Sequence, residues 1–339
     1  MTWRRAHQLL ALSLAVFWLI QVLTGVLLTF RQEIDNFLAG GRDAPLSVEL
    51  LGRRIQSLQA AGSTVTSVWV TNFTATRFDV LYTDRANNER RMRVNGAGEL
   101  LRDGSADSIF ATLTDIHTTL LVGDRGKWII AASGTLLFSN LILGLKLAWP
   151  RRGYWRKSLA LRTSRHSVAN VYGLHRTLGL YLGVPLLVLV LAGILLCFDD
   201  DIAAALHAER PPPVASAISI DLTPTRAMSL GLARFPGATL TALSMPTQES
   251  PWYRVRLHAP GEVWRMYGQT TVFLSAKDGT VLQEYAAASA PPVRLALDWL
   301  YPLHTGEFGG VVARVVLVLI GLTLLTLGFL GIRLWYLRR

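Results

Sequence analysis

The sequence predicts a membrane protein: an all-α four-helix transmembrane bundle with two extracytoplasmic α+β domains, built by an internal duplication. Three observations carry this. The chain of 339 residues is 51% hydrophobic and only 17% charged, with a mean hydropathy of +0.33, too apolar for an ordinary soluble domain. Four runs, roughly Leu9–Phe30, Trp128–Trp149, Tyr172–Phe198 and Val311–Tyr336, can each cross about 30 Å of hydrocarbon at about 1.5 Å per residue. The first run also aligns with the third, and the second with the fourth, without a gap.

The duplication is read from constant offsets in the numbering. His7 and His175, Gly25 and Gly193, and Phe30 and Phe198 all share an offset of 168. His117 and His304, Gly123 and Gly310, Gly134 and Gly321, Gly144 and Gly331, and Lys146 and Arg333 all share an offset of 187. The two offsets differ by 19, and the extra length falls in the outside domain, so each half reads span, outside domain, span.

Residues 1–30 form the first span. Trp3-Arg4-Arg5 has the look of a signal-peptide start, but "LLTFRQEID" offers no small-x-small cleavage site, so the segment is an uncleaved anchor. Residues 31–127 are the first outside domain. "SVELLGRRIQSLQAAG" has helical apolar spacing, and the β-rich runs "TVTSVWVTNF", "RFDVLYTD" and "RRMRVNGAGELL" follow, the last with a turn at Asn95-Gly96. Residues 128–149 are the second span, and 150–171 a loop with six Lys/Arg and no acid. Residues 172–198 are the third span. Residues 199–310 are the second outside domain, entered through the Pro-rich linker "ERPPPVAS". It carries a helix over Thr223–Phe235 and strands near 238–245, 252–258, 268–275 and 280–285, with a turn at Lys277-Asp278-Gly279. Residues 311–339 are the fourth span and the C-terminus.

Basic residues set the orientation. Arg4 and Arg5, the loop 150–171 and the terminal Arg338-Arg339 all face the cytoplasm by the positive-inside rule. The net charge of +11 is therefore a topology signal, and its clustering at membrane flanks argues against a nucleic-acid partner. The single cysteine, Cys197, excludes an intrachain disulfide, a cysteine metal site and a Cys-x-x-Cys-His haem attachment.

Histidines beside membrane spans are costly when charged and point to function. "TDIHTTLLVG" and "YPLHTGEFGG" place His117 and His304 equivalently near the outer face, and His7 and His175 are equivalent near the cytoplasmic face. Two facing imidazoles on different helices suit bis-His ligation of a non-covalent b-type haem, one at each face. Zinc would need further ligands. Arg4, Arg5 and Arg176 stand next to His7 and His175, where they can pair with haem propionates or simply satisfy the positive-inside rule. Gly25 and Gly193 lie about 18 residues past their histidines, about 27 Å along a helix, at the level of the opposite haem. Gly144 and Gly331 reach the cytoplasmic level in the same way. These glycines give a macrocycle room, or serve ordinary helix packing. "GDRG" and "GEFGG" should break the chain, so that His117 and His304 sit on short segments folding back over the bundle. His166 is a further candidate ligand, out of phase with His175, whereas His207 and His258 read as surface residues.

The motifs "WRRAHQLLAL", "LTGVLLTFRQEID", "LAWPRRGYWRKSL", "YGLHRTLGLYLG", "PLHTGEFGG" and "RLWYLRR", spread over all four spans, make the chain resemble the PepSY-associated transmembrane proteins. The resemblance implies PepSY-like domains in the periplasm and a place in the bacterial inner membrane. It also implies a dihaem b-type reductase of ferric siderophores, with His7, His175, His117 and His304 as axial ligands. An electron would pass from a quinol or a cytoplasmic reductase to the outer haem and release Fe²⁺ from the chelate, with no protein acid–base group beyond the haem ligands. Arg294, Trp299 and Tyr301 would line the docking surface or belong to an interfacial aromatic belt. Two other functions compete: a haem conduit to a periplasmic protein partner, and a non-enzymatic membrane-tethered PepSY inhibitor or sensor of a peptidase. A transporter would call for charged or broken residues in mid-span, which the runs lack, and the repeat here is parallel.

Overall fold

A computed structural model describes residues 2–106, 108–160, 167–208, 213 and 219–338. His166, most of the Pro-rich linker and Arg339 lie outside the described residues. The helices are α1 (Trp3–Ser13), α2 (Ala15–Leu28), α3 (Arg31–Ala39), α4 (Val48–Ala60), α5 (Ile109–Thr119), α6 (Asp124–Ala148), α7 (Trp155–Leu159), α8 (Ser167–Leu196), α9 (Asp199–Ala205), α10 (Pro224–Arg234), α11 (Pro292–Asp298), α12 (Leu300–Thr305) and α13 (Gly310–Tyr336). The strands are β1 (Thr64–Val70), β2 (Arg77–Thr83), β3 (Glu89–Asn95), β4 (Leu100–Ser105), β5 (Thr239–Ser244), β6 (Trp252–His258), β7 (Thr270–Ser275) and β8 (Val281–Tyr285). The chain divides into a helical unit (Met1–Thr29, Ile109–Asp201, Leu303–Arg339) and a sheet unit (Phe30–Ser108, Ile202–Pro302).

In the helical unit, among the described residues, three helices are long and apolar enough to cross a membrane: Asp124–Ala148, Val168–Leu196 and Glu307–Tyr336. Their outward positions are apolar; Val312 is 75% exposed and Phe329 64%. α1 and α2 pass the same test only together, and they are bent by 64° at their joint. The cause is local. Ser13 Oγ donates back to the Leu9 carbonyl at 2.7 Å, an interaction that bends helices. Leu14 then leaves helical geometry at φ −110°, ψ 5°. Helices of the two halves cross where one lacks a side chain. A Cβ on Gly134 would stand 2.9 Å from Ile194, and one on Gly321 would stand 2.5 Å from Val26. Val26 and Ile194 are themselves equivalent by the first offset, so the two crossings are one contact repeated.

In the sheet unit all eight strands form one antiparallel sheet, ordered β4-β3-β2-β1-β5-β6-β7-β8. The seam is β1 against β5, where Ser67, Val68 and Trp69 pair with Ser244, Leu243 and Ala242. α4 and α10 lie side by side on one face, each against strands of its own half. They approach so closely that a Cβ on Gly52 would overlap the Thr225 side chain. Leu51, Ile55, Val68, Met228, Leu243 and Val255 are fully buried between helices and sheet.

This corrects the predicted fold class. The protein is not an all-α four-helix bundle with two separate outside domains. It joins three continuous apolar helices and a bent helix pair to one eight-stranded sheet that both halves share. The physical reason is the edge of each half-sheet. A four-stranded sheet ending at β1 or β5 exposes a row of unpaired N–H and C=O groups, and pairing the two edges satisfies both rows. The predicted strands and the helices over Val48–Ala60 and Pro224–Arg234 lie where the periodicity places them, but the first span, predicted as one run, is broken at Leu14, and the domain boundary moves: α5 and the start of α6, predicted inside the first outside domain, belong to the helical unit.

The other face of the first half-sheet is held by charge. Arg93, 4% exposed, donates to Asp79 at 2.7 and 2.8 Å and to Asp35 of α3 at 2.8 Å. Arg93→Ala removes the hydrogen-bonded partner of both carboxylates but leaves Arg91 at 3.3 Å from Asp35 and 3.8 Å from Asp79, and should destabilise the sheet unit by about 1–3 kcal/mol, read as a lower unfolding midpoint. A loss under about 1 kcal/mol would show that the cluster behaves like an exposed ion pair.

Candidate functional site

Four histidines define the site, each on a separate helix: His7 on α1, His117 on α5, His175 on α8 and His304 on α12. The two short carriers are set off from the spans that follow. After α5 the chain turns through Leu120 and Leu121, both left-handed (φ 53° and 62°), and Gly123. Gly126 then passes so close to the end of α5 that a Cβ there would overlap the Thr119 carbonyl. After α12, Gly306 supplies the left-handed turn at φ 76°. His117 and His304 therefore sit on short helices folded back from α6 and α13.

The rings meet in pairs. His7 and His175 have ring centroids 6.3 Å apart, and His117 and His304 have centroids 6.1 Å apart. Each Nδ1 bonds to a backbone carbonyl of another helix: His7 to Asn140 (3.2 Å), His175 to Leu327 (3.1 Å), His117 to Gln21 (3.1 Å) and His304 to Leu189 (3.0 Å). A carbonyl only accepts, so Nδ1 carries the proton in all four and Nε2 keeps its lone pair.

The four carbonyls share a position. Each lies four residues before one of the glycines picked out in the sequence: Gln21 before Gly25, Asn140 before Gly144, Leu189 before Gly193, Leu327 before Gly331. The imidazole lies over that glycine, where a side chain would meet it. A Cβ would stand from the ring Cε1 at 2.7 Å on Gly193, 3.0 Å on Gly25, 3.2 Å on Gly144 and 3.6 Å on Gly331. Every histidine is seated by a glycine of its own half, and the pairs form between halves. Thr24 adds one asymmetry: its Oγ1 lies 3.0 Å from His117 Nδ1, whereas the aligned residue beside His304 is Ala192. Thr24 and the four carbonyls escaped the sequence reading. The signal that could have found the carbonyls is the fixed four-residue step to each glycine.

A cavity of about 280 Å³ opens around His7 and His175, lined also by Arg4, Arg176, Gly144 and Gly331. Asn140 Oδ1 is buried in the same region with no hydrogen-bond partner. Arg176 is committed in part, donating to the Ala148 carbonyl at 3.1 Å and to Ser158 Oγ at 3.0 Å. Arg5 does not line this cavity; it lies beside Thr2, Arg4 and Gln8 at the surface.

These features fit a macrocycle-held iron. Two imidazoles binding one ion from opposite sides through Nε2, at roughly 2.0 Å each, put their ring centres about 6.2 Å apart, because each nitrogen lies about 1.1 Å from its ring centre. Both observed separations fall there. The Nδ1–H···O=C bond is the usual outer-shell support of a metal-ligating histidine. Among the described residues no group of three or more His, Cys, Asp or Glu converges, so each pair would need its remaining ligands from a cofactor.

Arg294, Trp299 and Tyr301, the expected docking residues, fall in the sheet unit. Arg294 is buried and donates to Asp298 at 3.0 and 2.8 Å, so it is not a surface cation. Trp299 is 41% exposed, and Tyr301 lies under the Arg265 guanidinium at 4.5 Å. His207 is exposed at the end of α9, and His258 packs on Trp264 with centroids 4.9 Å apart.

A family model described as "PepSY-associated TM region" matches residues 4–338. No curated protein matches the chain.

Proposed function

We propose that this chain, which belongs to the PepSY-associated TM family, is a membrane oxidoreductase that holds two b-type haems and delivers electrons across the membrane to a ferric siderophore. The observation that carries the proposal is the fourfold seat: two histidine pairs at ligating separation, every Nδ1 occupied by a carbonyl and every Nε2 left to coordinate. His7 and His175 would hold one haem, His117 and His304 the other. When bound, the haems supply one-electron transfer between the two faces of the membrane.

The chain's own residues orient and tune. The carbonyls of Gln21, Asn140, Leu189 and Leu327 fix each tautomer and make each imidazole a stronger donor. Gly25, Gly144, Gly193 and Gly331 let the rings reach those carbonyls. Arg4 and Arg176, lining the cavity around the first pair, would meet the propionates. The basic flanks support a reading in which the His7/His175 pair and both termini would face the cytoplasmic side of a bacterial inner membrane. The donor would be a quinol or a cytoplasmic reductase. Substrate Fe³⁺ takes one electron, and the Fe²⁺ formed is held weakly by hard oxygen ligands, so the chelator is released intact.

The test is an absorption spectrum of the detergent-purified protein, oxidised and reduced. Sharp reduced α and β bands of low-spin iron, with about two haems per chain, are expected from two bis-His sites. Protein free of haem after expression with ample haem supply would overturn the proposal. Reoxidation of the reduced protein by ferric siderophore no faster than a blank would leave the haems and remove the substrate.

A further inference from the structure

We infer that the sheet unit carries a binding site for an oxygen-rich anion, centred on Arg254 and Arg256, on the sheet face turned away from α4 and α10. Strand β6 alternates cleanly. Tyr253, Val255 and Leu257 are buried in the core, while Trp252, Arg254, Arg256 and His258 take the other face. Opposite the two arginines β5 places only Ser244 and Ala242, so the strand beside them is floored by small side chains.

The two halves differ at this strand. Thr64, Val68 and Asp79 are equivalent to Thr239, Leu243 and Arg254 by one constant offset, and the strand pairings agree: Trp69 faces Asp79 as Ser244 faces Arg254. The next strand completes the contrast. In the first half Asp79 faces Arg93 and is neutralised by it. In the second half Arg254 faces Phe273. Its guanidinium donates to Ser244 Oγ at 3.2 Å, and among the described residues no carboxylate lies within ion-pair distance. Burial pushes Arg254 below its usual range, with no charge partner to restore it. A half-buried guanidinium without a counter-charge is costly unless an anion answers it. Arg256 adds a second cation two residues on, its guanidinium 5.6 Å above the Trp69 ring. That ring is pinned, with Nε1 donating to Ser67 Oγ at 3.0 Å and its edge against Tyr267 at 5.5 Å. The cluster is thus preorganised, cationic and aromatic, which suits carboxylate or catecholate oxygens on a compact ligand.

If the chain is the reductase proposed above, the ligand is a ferric chelate of net negative charge; that identity rests on the reductase reading, whereas the anion site does not. The experiment is calorimetric titration of the full-length protein in detergent with gallium(III) citrate, with a neutral gallium(III) trihydroxamate, and with citrate alone. Gallium accepts no electron, so haem chemistry cannot mask binding, and the absorption spectrum of the same sample reports the haems separately. We expect the anionic chelate to bind at least tenfold more tightly than the neutral one. Arg254→Gln should weaken it by tenfold or more, as for loss of one partner of a buried charge pair. Arg254→Lys should recover most of the loss, and Arg234→Gln, which breaks only an exposed pair with Glu284, should change nothing. Equal affinity for the two chelates, an unchanged affinity in Arg254→Gln, or no binding at millimolar ligand would overturn the site. Citrate alone binding as tightly as its gallium complex would support the anion site and overturn the chelate as its ligand.

Discussion

Replacing His304 with Ala is expected to halve the haem content of the proposed two-haem protein, from about two per chain to about one, and to leave the reduced low-spin bands of the His7/His175 site in place. The reason lies in how the pairs are built. His304 meets His117 at 6.1 Å and has no share in the other pair, whose rings meet at 6.3 Å on α1 and α8. The His304 seat lies on α8, which also carries His175, but Leu189 is 14 residues beyond that histidine, about 21 Å along the helix, so the loss should stay local. His7→Ala should give the mirror result. Loss of both haems in either variant would mean that the pairs are not independent sites. Full retention of two low-spin haems in His304→Ala would mean that this histidine is no ligand. Haem content by pyridine haemochrome and the reduced spectrum decide between these outcomes.

Gly193→Ala should empty or high-spin the same site, while Gly331→Ala should leave its site nearly unchanged. One methyl group is added in each case, and only the clearance differs. A Cβ on Gly193 would lie 2.7 Å from His304 Cε1, closer than packed carbons come, whereas a Cβ on Gly331 would stand at 3.6 Å from His175 Cε1, an ordinary contact. His304 cannot yield without lengthening its 3.0 Å bond to the Leu189 carbonyl. In a helix interior Gly→Ala by itself stabilises by roughly 0.5–1 kcal/mol. A variant whose helix is firmer and whose haem is lost therefore isolates the seat as the cause. Gly25→Ala and Gly144→Ala, with clearances of 3.0 and 3.2 Å, should fall between. Equal effects at all four glycines would sink the steric account.

Much of this architecture was legible in the chain. The offsets 168 and 187 pair the histidines from residue order alone, and they put Gly25 and Gly193 at one level and Gly144 and Gly331 at the other. The strand and helix runs of both halves were read to within a few residues, because alternation and the 3.6-residue period are local properties. The misses are of another kind. The bend at Leu14 depends on one hydroxyl turning back to a carbonyl. Arg294 looked like a docking cation and is instead spent on Asp298, four residues along its own helix. The β1–β5 seam joins segments from opposite halves of the chain, and no local pattern announces which of several free edges will meet.

The sequence by itself determined that this is a duplicated membrane chain whose histidines come in equivalent pairs, since hydropathy, charge and repeat are written in residue order. Only the tertiary structure decided that the segments between the spans of each half share one sheet, that each imidazole rests on a glycine of its own half, and that the arginine at the second half's Asp79 position has no counter-charge among the described residues. Those are relations between residues far apart in the chain. They are settled by edge strands needing partners, by a ring needing room beside a carbonyl, and by which side chain a strand pairing sets opposite a charge.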